Sequence, residues 1–174
     1  MDINHIKLPA VVVTELYHSA LVDQENTPVN QLLTDISADQ TSGIPGWNWL
    51  GGNQKNVLII VHYLNAVHLP DNDLGFLSGI LGACKLNLSD VAILNLKNYP
   101  DASYKEMITY FKSKIVLLFD VEPASFGLPL SFPHFQLQPF AGNSFLFSPS
   151  LHELEHDKIL KSKLWVCLKR LFNL

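Results

Sequence analysis

Residues Val57–Tyr63 read VLIIVHY, with no Gly, no Pro and no fixed charge. β-Branched and aliphatic side chains fill the run without the polar alternation that a half-wet strand would show. Such a segment is the central strand of a mostly parallel sheet, buried on both faces. The residues after it agree. Leu64–Pro70 has loop composition, Asp71–Cys84 (DNDLGFLSGILGAC) has a helical pattern, and Ala92–Leu96 within VAILNL is a second short strand. Strand, helix and strand in that order make a parallel crossover unit.

The helical stripe is Leu74, Leu77, Leu81 and Cys84, spaced for one face of a helix. Gly75, Gly79 and Gly82 interrupt it. Each weakens a helix by about 1 kcal/mol relative to Ala, and the expectation is that they let the helix backbone come close to the sheet. A second unit follows. Ser103 and Glu106 fit a capping box ahead of a helix over Tyr104–Lys112, and Ile115–Phe119 (IVLLF) is the next strand. Pro123, Pro129, Pro133 and Pro139 exclude a long helix between residues 122 and 142. His134–Leu137 is expected as a short strand with Phe135 and Leu137 on one face, and Ser144–Phe147 as the last strand. The C-terminal helix has two possible starts, a Ser150–Glu153 capping box and Asp157, and its apolar stripe runs from Leu160 to Phe172. Upstream, Pro9–Ser19 reads either as a helix begun by its proline or as a strand on its VVV run, and Leu21–Gly52 is mostly irregular. The expectation is one α/β domain over residues 1–174, with residues 1–52 its less regular part. It is three-layered, α/β/α, on a short and mainly parallel sheet of four or five strands.

Composition narrows the function. Charged residues are 16% of the chain, against about 25% in ordinary soluble domains. The net charge is −4 and Arg170 is the single arginine. Bulk attraction to nucleic acid is therefore not expected, nor is bidentate phosphate binding. Cys84 and Cys167 lie among apolar neighbours and read as reduced core cysteines of a cytoplasmic protein. The opening MDINHIKLPA is polar, which argues against a signal peptide. No run reaches the roughly 18 apolar residues of a membrane span.

Trp47 and Trp49 sit in GIPGWNWLGGN, between glycines. They read as rings covering the core, or as anchors for a partner. HELEH at residues 152–156 matches the H-E-x-x-H motif, with His152 and His156 at ligand spacing on one helical face and Glu153 at the general-base position. A metal-dependent hydrolase is therefore one reading. Against it, the motif lies where a helix begins, and no third ligand follows in the Lys-rich segment that ends the sequence. His62 and His68, six residues apart, are not a recognised ligand pattern. The sequence holds no G-x-S-x-G elbow, no Walker loop and no G-x-G-x-x-G fingerprint, and nothing places a histidine beside Cys84. No cofactor is expected.

Two stretches resemble the psi subunit of bacterial DNA polymerase III. In SPSLHELEHDKILKSKLWVCLKRL the matching positions are Ser148, Pro149, Leu151, Leu154 and Trp165. In the stretch from Asn56 to Leu96 they are Leu69, Leu74, Leu77, Leu81, Leu88, Ser89 and Val91. The resemblance implies a fold similar to that of uracil-DNA glycosylases. Those enzymes place a water-activating Asp after the first strand and a His-Pro-Ser loop after the last. Here the first position reads His62-Tyr63-Leu64-Asn65 and the last Ser148-Pro149-Ser150, so neither the Asp nor the His is present. A site that excises a base needs a carboxylate for the water and a cation for the leaving base. The resemblance thus implies a non-enzymatic adaptor in the clamp-loader assembly, whose partners are the motor subunit and a chi-like subunit. A divergent glycosylase-like enzyme that binds nucleic acid is the alternative.

Overall fold

The computed structural model describes residues 46–174. The expectations for Pro9–Ser19, and for the part of the irregular segment before residue 46, fall outside the described residues. Five strands form one sheet: β1 (Val57–Val61), β2 (Val91–Asn95), β3 (Ile115–Phe119), β4 (Leu137–Phe140) and β5 (Asn143–Ser148). Their order is β2-β1-β3-β5-β4. The β1–β2, β1–β3 and β3–β5 pairs are parallel, and β4 returns antiparallel to β5. Among the described residues four α-helices accompany them: α1 (Asp71–Ala83), α2 (Tyr104–Phe111), α3 (Leu151–His156) and α4 (Lys158–Phe172). The fold is α/β on a mixed sheet.

Every residue of β1 and of β2 is buried, as the unbroken apolar runs require. Pleating divides β1 between two apolar clusters. Val57, Ile59 and Val61 join one with Leu77 and Leu81 of α1, Leu151 and Leu154 of α3, and Leu164 and Leu168 of α4. Leu58 and Ile60 join the other with Met107 and Phe111 of α2 and with Phe126 and Phe132 of the proline-rich segment. Each such side chain contributes about 1.5–3 kcal/mol on burial, so the segment between β3 and β4 is held by apolar packing despite its lack of regular structure.

The free edge of β2 is partly covered. Leu50 and Ile93 exchange backbone hydrogen bonds at 2.9 and 2.8 Å in an isolated antiparallel bridge. The chain reaches that edge through Gly51, at φ +109°, where a Cβ would lie 2.2 Å from the Val91 carbonyl oxygen. Only glycine fits there. Closing the edge in this way removes a template for pairing with another chain.

Four expectations are corrected. The strand expected at His134–Leu137 begins only at Leu137 and runs to Phe140, because Phe135 is left-handed at φ +60° and cannot continue a ladder. Pro139 is accepted in it because β4 is the edge strand. The glycines of α1 do not face the sheet: a Cβ at Gly75, Gly79 or Gly82 would meet nothing within 4 Å. The two competing starts of the C-terminal helix are both used. Ser150 Oγ accepts from the Glu153 N–H at 3.2 Å to start α3, and Asp157 Oδ1 accepts from Ile159 and Leu160 to start α4. At Ser103 the side chain accepts from the Lys105 N–H rather than from Glu106. A reciprocal capping box forms instead at Asn87 and Asp90, ahead of β2.

Candidate functional site

Open α/β sheets bind ligands beyond the carboxyl ends of their parallel strands. Here that edge gathers the residues after β1, β2, β3 and β5, among them His62, Tyr63, Asn65, Asn95, Asp120 and Ser148.

Asn95, fully buried at the end of β2, organises the edge. Its Oδ1 accepts from the Tyr63 N–H at 3.0 Å, and its Nδ2 donates to the carbonyls of Tyr63 at 2.9 Å and Ala66 at 2.8 Å. Two neighbours extend the grip. Asn98 Nδ2 donates to the Val67 carbonyl at 2.9 Å, and Lys97 Nζ donates to the Leu64 carbonyl. The loop after β1 is therefore clamped by side chains that follow β2. Its apolar tips point outward: Leu64 is 63% exposed and Val67 60%.

Tyr63 turns its phenol towards α1 and donates to Asp73 Oδ2 at 2.6 Å. Burial, then the hydrogen bond to Asp73, then the charges of Asp73 and Asp120, hold the phenol well above its ordinary pKa of 10.0. At neutral pH it is a locked hydrogen-bond donor and a very weak acid. Asp73 is itself buried in the first turn of α1, so its carboxylate is committed to the phenol rather than presented to a cleft.

Asp120 leaves β3 left-handed, at φ +54°, and its N–H donates to the Ser148 carbonyl at 3.0 Å. Ser148 is 1% exposed, and among the described residues its Oγ has no hydrogen-bond partner. Pro149 is buried and Ser150 caps α3. His62 and Asn65 are exposed on the β1 side of the edge. The structure thus brings Tyr63 and Asp73 together and links Asp120 to Ser148 through the backbone.

HELEH fills most of α3. The His152 and His156 rings lie 4.5 Å apart between centroids, and His156 Nδ1 lies 2.8 Å from the His152 carbonyl oxygen. One ring nitrogen of His156 is thereby engaged by its own helix. Among the described residues no three His, Cys, Asp or Glu side chains gather to hold a metal ion. Burial pushes the Cys84 thiol up to about 11, which makes it a poor nucleophile at neutral pH.

The tryptophan segment runs beside this edge: Asn48 lines a pocket with Leu64, Val67, Asn98 and Tyr99. Trp47 is 5% exposed and packs on Tyr99 at 4.7 Å between ring centroids. Trp49 is half-buried and meets Tyr110 and Phe111 edge-on at 5.8 and 5.3 Å. Both rings cover the apolar cluster around α2, and Trp47 has almost no surface to offer a partner.

Asn95, Lys97, Asn98 and Asp73 were not singled out by sequence. Asn95 carried a signal, a lone amide closing an otherwise apolar strand in VAILN, where a buried polar group must have partners close by. The chain matches no model of a known protein family, and no curated protein sequence matches it. Among the described residues no helix is long and apolar enough to cross a membrane.

Proposed function

We propose that this chain is a psi-like, non-enzymatic adaptor subunit of the bacterial replicative DNA polymerase III clamp-loader assembly. Its α/β unit takes the three-layer arrangement of the uracil-DNA glycosylases without their chemistry. The observation that carries this reading is the side-chain clamp on the carboxyl edge of the sheet. The loop after β1 has no Asp between His62 and Asn65, and its carbonyls are tied down by Asn95, Lys97 and Asn98. The nearest buried carboxylate, Asp73, is bound to Tyr63. At the end of β5 a buried Ser148 stands where a glycosylase has a histidine able to stabilise the departing base. An edge built this way supports a rigid scaffold better than a reaction.

The partners in this reading are proteins, the clamp-loader motor subunit and a chi-like subunit. Direct binding to nucleic acid is weak or absent, in keeping with the net charge of −4. The protein works in the cytoplasm. The test is association of the purified full chain with the motor subunit, run beside an assay for uracil excision. Binding without excision is the expected result.

A second reading, a divergent glycosylase-like enzyme, draws on the unpartnered Ser148 hydroxyl at the end of β5. Excision that disappears on mutating a residue of the loop from Leu64 to Asp73 would favour it.

A further inference from the structure

We propose that the groove between α1 and α4 is a docking site for an amphipathic helix of a partner protein, with an apolar face and acidic flanks. This deepens the adaptor reading and rests on it for the nature of the partner.

The groove has a volume of about 600 Å³, and Phe76, Ile80, Trp165 and Leu168 give it an apolar floor. Its α1 wall is Gly75, Gly79 and Ala83, one residue per turn. Nothing lies within 4 Å of a Cβ built at Gly75 or Gly79, so no packing inside the described residues requires glycine there. Glycine is the poorest helix former after proline. Its placement on this wall leaves the backbone of α1 bare, and a second helix can approach it closely. At 1.5 Å per residue the wall from Gly75 to Ala83 is roughly 12 Å long, enough for about two turns of a docked helix.

Charge selects the occupant. From Lys158 to Phe172, α4 carries Lys158, Lys161, Lys163, Lys169 and Arg170 and no acidic residue. Lys158 and Lys161 stand on the rim. Lys161 Nζ lies 5.5 Å from the centre of the Phe76 ring, and Lys169 Nζ 5.9 Å from that of Trp165. The acidic side chains nearest the groove, Asp71 of α1 and Glu155 of α3, line an adjoining pocket beyond its Gly75–Phe76 end, and the lining of the groove itself holds no carboxylate. Apolar floor and cationic rim complement a helix with a Leu-type face and Glu or Asp beside it. A flat lipid surface would not fill a concave floor.

The probe is a synthetic helix of about 18 residues, with Leu at i, i+4 spacing and Glu on the flanks, and a twin with Lys on the flanks. Each is titrated into the ¹⁵N-labelled full chain. The Glu peptide should shift the amides of Gly75, Gly79 and Ser162 and the indole of Trp165, and should bind about tenfold more tightly than its twin. Lys158→Glu with Lys161→Glu should invert that order. Gly79→Leu should fill the groove, weaken the Glu peptide at least about tenfold, and leave the melting temperature equal or higher, because Leu is the better helix former. Shifts elsewhere, equal affinity for both peptides, or unchanged affinity in Gly79→Leu would overturn the proposal. So would competition by anionic phosphatidylserine vesicles at the same amides, or a dimer in sedimentation that Gly79→Leu abolishes. If the motor subunit and the chi-like subunit each bind wild type and Gly79→Leu equally, the groove is wrong and the adaptor reading survives. If the Glu peptide binds as described but the motor subunit does not bind, the polymerase assignment fails and the groove stands.

Discussion

Asn95 holds Tyr63 by both of its backbone groups, accepting its N–H at 3.0 Å and donating to its carbonyl at 2.9 Å. The same amide reaches on to Ala66. One buried side chain at the end of β2 thus fixes the path of the chain as it leaves β1. Asn95→Ala removes these bonds and strands buried backbone groups. The expected loss is about 3 kcal/mol, since each unmet buried group costs about 1–3 kcal/mol. Urea denaturation measures it, and hydrogen exchange at residues 64–67 should quicken in the variant. A loss under about 1 kcal/mol would mean that water replaces the amide.

Tyr63 and Asp73 supply a pH signature. The folded chain holds the phenol above its ordinary pKa of 10.0, chiefly by burial and then by Asp73. The folded state keeps this proton longer than the unfolded state does. The contribution is therefore complete below pH 10 and fades as the pH rises above it. Tyr63→Phe should cost about 1–3 kcal/mol at pH 7, because Asp73 loses its partner. The gap between wild type and variant should narrow above pH 10. Cys84, also raised, is common to both proteins and cancels in the comparison. A gap that stays constant to pH 11 would show that the phenol is not held in this way.

The two tryptophans should differ in weight. Trp47 is buried against Tyr99, whereas Trp49 is half-buried and meets its neighbours edge-on. Trp47→Ala should cost about 3–5 kcal/mol of folding stability, and Trp49→Ala roughly half that. Melting and motor-subunit affinity are to be measured on the same variants. Affinity lost without any loss of melting temperature would make the rings anchors rather than covers.

Zinc provides an independent check on HELEH. The two rings are tilted at 45° to one another and His156 Nδ1 lies against its own helix, which leaves its Nε2 as the ligating atom; a metal would still have to find its third ligand outside this pair. Protein purified without an affinity tag should contain no stoichiometric zinc by elemental analysis. One zinc per chain, lost when His152 and His156 are both changed to Ala, would restore the hydrolase reading.

The strands β1, β2 and β3 were legible because a strand buried on both faces is almost wholly apolar, and the runs VLIIV, VAIL and IVLLF allow little else. The helix ends were less legible. Ser103 and Ser150 both have a Glu three residues on, yet Ser103 caps Lys105 and Ser150 caps Glu153. That choice depends on local backbone angles that the pattern does not encode. β4 was misplaced by three residues at its start because Phe135 adopts a left-handed conformation that nothing in its side chain announces. The glycines of α1 were assigned to the wrong side because a gap in a stripe shows that a side chain is absent, not what stands opposite it. The clamp at the carboxyl edge joins residues about thirty positions apart, and spacing along the chain carries no trace of it.

The most direct test of the adaptor account is calorimetric titration of the full chain into the purified clamp-loader motor subunit, with uracil-containing DNA as a second titrant. The account predicts a one-to-one complex with the motor subunit at roughly micromolar affinity or tighter, about −8 kcal/mol. It also predicts no heat from the DNA at physiological salt and no free uracil afterwards. Absence of binding to the motor subunit, together with release of uracil from the DNA, would contradict it.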